Sequence, residues 1–154
     1  MNANSYQKNI GRERIYSRDF EERTDVILWD VIDIQNEQLL KITFISKNST
    51  YNQGLRLAVD VGDGFLECNG HSSKSMRFWE EISPSEFIVK CLSPEGLLSV
   101  YNIWNERSVG PGNSQMYCSG MIAQQEGDRT TYYCHDVGKR DISFDKIVFS
   151  IEKL

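Results

Sequence analysis

What this 154-residue chain lacks narrows it first. Three prolines and eleven glycines are too few for a long disordered linker. A basic excess is missing: 17 Lys and Arg stand against 22 Asp and Glu, a net charge of −5. Phosphate-backbone binding needs a basic patch that releases counterions, so nucleic acid is not an expected partner. Anionic membrane surfaces are disfavoured for the same reason. No run approaches the roughly 18 apolar residues of a membrane-spanning helix. The opening stretch MNANSYQKNIGRER holds no apolar core of a secretory signal. The expectation is a soluble, cytoplasmic protein whose four cysteines are reduced thiols.

Other absences bear on chemistry. Cys68, Cys91, Cys118 and Cys134 form no C-x-x-C pair. Zinc sites draw ligands in close pairs, so no metal is expected, and no cofactor motif is present. His71 and His135 are the only histidines. No helical pattern of ten or more residues lies between strands, which argues against a βαβ arrangement. Internal repeats and low-complexity segments are absent.

What is present reads as β structure. A chain of this length fits one domain. Residues 1–24 are polar and mixed in charge. Ile15, Tyr16 and Phe20 mark either a short amphipathic helix or a loosely attached arm. From residue 25 strand signals follow one another to residue 154. Leu40, Ile42 and Phe44 alternate with Lys41 and Thr43, as a half-buried strand requires. Leu55, Leu57, Val59 and Val61 alternate with Arg56, Ala58 and Asp60. Residues 97–104 (LLSVYNIW) are apolar on both faces, which places them centrally. Asn102 and Ser99 interrupt those faces and need hydrogen-bond partners if buried. Residues 76–82 suit a strand or a helical turn. Eight to ten short strands in all predict an antiparallel β-sandwich or flattened barrel.

Turn chemistry predicts some pairings. Gly62-Asp63-Gly64 suits a three-residue hairpin loop, with residues 65–68 returning against residues 55–61. Gln125-Glu126-Gly127 suits a second such loop between residues 116–124 and 129–135. That register sets Gly120 opposite Tyr132 and Cys118 opposite Cys134. A strained, redox-sensitive disulfide then becomes conceivable beside the simpler reading of four packed thiols. Tyr117, Tyr133, Met121 and His135 would share one face.

Candidate chemistry is sparse. Cys134-His135-Asp136 resembles a nucleophile–base–acid run, but adjacent strand side chains point to opposite faces. The Asp60–Gly64 run lacks the spaced oxygen ligands of a calcium loop. Asp30 shares a face with Val26, Leu28, Ile32 and Ile34, so its burial would demand a partner or a role. Residues 105–115 form the longest glycine-bearing loop, with Arg107 and Asn113 as polar contacts. Tyr117, Tyr133 and His135 on the following hairpin complete the candidate binding set. The leading functional expectation is a non-catalytic protein-binding module. One version is an immunity- or antitoxin-like protein that neutralises its partner by surface occlusion. The acidic balance suits a partner with a basic contact surface. A small-ligand or carbohydrate-binding sandwich is the alternative. A hydrolase using His71 or His135 is the third reading.

Overall fold

The computed structural model describes residues 10–106 and 112–154. The expected all-β class is what forms. In chain order the strands are β1 (Ile15–Tyr16), β2 (Ile27–Asp33), β3 (Gln38–Lys47), β4 (Asn52–Ala58), β5 (Phe65–Cys68), β6 (His71–Ser73) and β7 (Ser75–Trp79). After a single 3-10 turn at Glu80–Ile82 come β8 (Glu86–Leu92), β9 (Leu97–Asn105), β10 (Gly120–Glu126), β11 (Arg129–His135) and β12 (Ile147–Lys153). Every pairing is antiparallel, and the strands run β6-β5-β8-β3-β12-β11-β10-β2-β9-β4-β7. The result is a nearly closed, barrel-like sheet of eleven strands. β1 adds to the margin of β2.

Period-2 patterning decides which side chains fill the inside. Leu40 and Ile42 of β3, Leu55 and Leu57 of β4, and Ile147, Phe149 and Ile151 of β12 are all buried in one apolar cluster. At roughly 1.5–3 kcal/mol per fully buried large side chain, this cluster is the main driving force for closure. β9 is buried on both faces from Leu98 to Trp104, as its composition predicts. Its second face is covered by aromatic and arm residues. The Tyr101 ring lies 4.9 Å from Trp29, and the Arg56 guanidinium stands 5.1 Å from the Tyr101 centroid. Gly11 of the arm packs against Asp60, Val61 and Ser99. A Cβ there would come within 2.8 Å of the Asp60 Cβ, and φ is +77°, so this contact requires glycine.

Two seams interrupt the sheet. β6 and β7 end the strand path, and the Phe78 ring of β7 reaches Phe87 of β8 at 4.8 Å. Between β10 and β2 only Met121 and Ile27 pair. Beyond that point the two strands part. Arg14 enters the opening and meets Asp30 at 2.8 Å.

Several expected pairings differ. The arm holds β1 and bends among its described residues, not a helix. Residues 65–68 do not return against β4, because both edges of β4 are taken by β9 and β7. The chain instead buries Val59 and Val61 as it crosses to β8, where Gly64 lies against the Leu92 carbonyl. In the second hairpin Glu126 pairs with Arg129, leaving a two-residue loop, Gly127-Asp128. Gly127 has φ +62° and Asp128 has no positive φ, the pattern of a type II′ turn. That turn suits the strand twist better than the three-residue loop. The register therefore moves, Met121 faces Cys134, and residues 116–119 lie outside the strand. Cys118 and Cys134 are no longer opposite, and all four cysteines are free thiols.

Candidate functional site

β11 ends at His135, and residues 137–146 loop out before β12. His135 is the anchor of that loop. It points away from Cys134 and is fully buried. Its Nε2 lies 2.8 Å from the Gly138 carbonyl oxygen, and its Nδ1 3.3 Å from the Ser143 amide nitrogen. An amide only donates and a carbonyl only accepts, so Nε2 is the donor toward Gly138 and Nδ1 the acceptor from Ser143. The edge of the Phe144 ring packs over it, centroids 6.1 Å apart.

The same loop grips its neighbours. Gly138 N–H donates to the Tyr117 carbonyl at 2.9 Å. Phe144 meets Phe20 of the arm at 5.6 Å, and the Arg23 guanidinium lies 5.3 Å from the Phe144 ring. Asp19 accepts the Cys118 N–H at 2.9 Å, tying arm to turn. Between arm and loop lies an open cleft of about 490 Å³, lined by Phe20, Glu21, Glu22, Lys139, Ile142 and Phe144 among others. Beside it Tyr117 and Met116 are 56% and 47% exposed, and Ile142 is 43% exposed. Lys139 Nζ stands 5.7 Å from the Tyr117 ring centroid, and a side-chain hydrogen bond with Tyr117 raises the lysine's pKa.

The five sequence candidates fare differently. Arg107 lies outside the described residues. Asn113 exchanges two backbone hydrogen bonds with Trp104, at 2.7 and 3.1 Å, and lines neither of the loop's clefts. Tyr133 is half-buried on β11 between Ile122 and Val148. It does not share a face with Met121, because the register moved. Tyr117 and His135 are brought together, linked through the two backbone groups of Gly138. His135 itself presents nothing to solvent. Trp104 is core.

The hydrolase residues do not converge. His71 is exposed on β6, and β5, β8, β3 and β12 separate it from β11. Burial pushes the Cys91 thiol up to about 12 and the Cys134 thiol well above its ordinary value, so neither is a thiolate at neutral pH. Among the described residues no group of three or more His, Cys, Asp or Glu is placed to hold a metal. No helix among them is long and apolar enough to cross a membrane.

Two polar clusters escaped the sequence reading in whole or part. Asp30 is fully buried, as its apolar face implied, and its partners are Arg14 and the Tyr132 hydroxyl at 2.7 Å. Gln53, Ser49 and Asp136 form the second. Gln53 continues the 55–57 alternation backwards, which was the available signal for its burial. No protein-family model matches the chain, and no curated protein matches it in sequence.

Proposed function

We propose that this protein is a non-catalytic binding module that docks a protein partner on the surface between its arm and the 137–146 loop. The carrying observation is that exposed Ile142 lines the open cleft with Glu21 and Glu22, and that exposed Tyr117, next to exposed Met116 in the chain, lies against the cleft residue Lys139. An aromatic anchor ringed by polar residues is the usual make-up of an interface centre. The acidic rim suits a partner with a basic contact surface, and steers it at low salt. Occlusion of such a partner, as an immunity or antitoxin-like protein would achieve, is the version that needs no catalytic group.

The test is capture from the native host with wild type and with a Tyr117→Ala, Glu21→Lys, Glu22→Lys variant. The expected result is one stoichiometric partner, held by wild type, released by salt and lost by the variant. Background alone, or equal capture by the variant, overturns the proposal.

A further inference from the structure

The 137–146 loop has a second side. With the loop between β3 and β4 it encloses an open cleft of about 690 Å³, within the range of small-ligand sites. Lys47, Arg140 and Lys146 line it, with the hydroxyls of Ser49 and Tyr51 and the carboxylate of Asp136.

Hydrogen-bond accounting shows what this cleft has left to offer. Gln53 is fully buried at the start of β4. Its amide nitrogen donates to Asp136 Oδ2 at 3.0 Å and to Ser49 Oγ at 3.2 Å. The Tyr51 N–H donates to the same Oγ at 3.1 Å. A hydroxyl oxygen has two acceptor positions, and both are filled, so Ser49 retains only its proton to give. Asp136 holds this arrangement in place. Its other oxygen accepts the Val137 N–H at 2.7 Å, and a flipped Gln53 would set a carbonyl oxygen against the carboxylate. Arg140 and the Tyr51 hydroxyl make no side-chain hydrogen bond or ion pair among the described residues, and Lys146 makes none within bonding distance, although its charge helps lower the pKa of Asp145 just outside the lining. Lys47 reaches Glu80 only at 3.9 Å.

The donors left on the cleft lining are the Ser49 and Tyr51 hydroxyls and two cations, Arg140 and Lys146, while the buried Gln53 Oε1 behind them has no hydrogen-bond partner. The carboxylates of the lining are two: Asp136, which faces Gln53 and Val137, and Asp141 on the exposed rim. We infer that this cleft binds a tetrahedral oxyanion, phosphoryl or sulfate, on a small molecule. Ser49, Tyr51, Arg140 and Lys146 are its donors. The overall charge of −5 separates this ligand from a polyanion. A long phosphate chain would run into the acidic surface, whereas one oxyanion meets only the cleft within a screening length of about 8 Å.

The experiment is an amide-detected NMR titration with sodium phosphate, against sodium chloride at equal ionic strength. Saturable shifts at Ser49, Tyr51 and Val137 with phosphate alone support the site. The same shifts with chloride mean ionic screening only and overturn it. Arg140→Glu, Lys146→Glu and Ser49→Ala should each weaken phosphate binding about tenfold, the loss of one charge-assisted hydrogen bond. Tryptophan fluorescence confirms that each variant is folded. Lys90→Glu, on β8, serves as the charge control; an equal loss there overturns the inference. Glucose 6-phosphate, sulfate and glucose separate the sources. Tighter binding of the ester than of phosphate assigns an organic phosphate, equal binding assigns the free anion, and glucose binding alone overturns the oxyanion reading.

Discussion

Two buried carboxylates make an instructive pair. Asp30 accepts four hydrogen bonds: Arg14 Nε at 2.8 Å, Arg14 Nη2 at 3.3 Å, the Val31 N–H at 2.9 Å and the Tyr132 hydroxyl at 2.7 Å. That fills the roughly four acceptor positions of a carboxylate. Asp136 accepts two, and Gln53, which donates to it, also donates to Ser49 Oγ. The first cluster closes a seam and turns inward. The second holds groups ready for something else. Buried charge alone does not mark function; unused hydrogen-bonding capacity at an open cleft does.

Variants can break this comparison or sharpen it. Arg14→Ala should have the largest effect, about 3 kcal/mol of stability, because it strands a buried carboxylate. Urea unfolding measures it, and an unchanged midpoint would mean that the seam is held by packing. His135→Leu should cost about 2 kcal/mol, from two lost hydrogen bonds. Its damage should be local, read as faster hydrogen exchange at Ser143 and faster trypsin cleavage after Lys139 and Arg140.

The alkaline limb comes next. The folded Cys91 thiol holds its proton up to about 12, against 9.0 ordinarily. Between those values the unfolded chain has fewer protons bound, so stability falls as pH rises. The slope from this one group is at most about 1.4 kcal/mol per pH unit. Burial likewise pushes Cys134 and Tyr132 up, the latter beside the Asp30 carboxylate. Stability against pH should be steeper above 9 than below, and Cys91→Ala should flatten that limb. Asp136→Asn should cost only about 1 kcal/mol. A loss as large as that of Arg14→Ala would erase the contrast between the clusters. Mild oxidation should have no effect, with four titratable thiols in the unfolded protein before and after.

Part of this was legible from residues alone. Alternation along residues 39–46 and the two apolar faces of residues 97–104 report a β fold because burial acts on every second side chain. Asp30 announced itself as a carboxylate on an apolar face. The hairpin register did not, since Gly127 serves as the last residue of a three-residue loop or the first of a two-residue one. Nor did the course of the chain after β4, which depends on β9 claiming that edge from 53 residues away, at Asn52 with Asn105, to 41 residues away, at Ala58 with Ser99. The second cleft joins Ser49 and Gln53 to Asp136 across 83 residues, a meeting that no local pattern encodes.

The β6–β7 seam carries a consequence for folding and solubility. β6 ends at Ser73 and β7 begins at Ser75, so Lys74 alone joins the two terminal strands of the sheet path. Each of those strands pairs on one side only, and an open strand edge is a template for self-association. Here the residue between them is an exposed lysine whose Nζ reaches the Gly62 carbonyl at 2.6 Å. With pairings as distant as β2 with β9, closure is a late and slow event. Until it happens, the charge at Lys74 is what stands between two bare edges and aggregation.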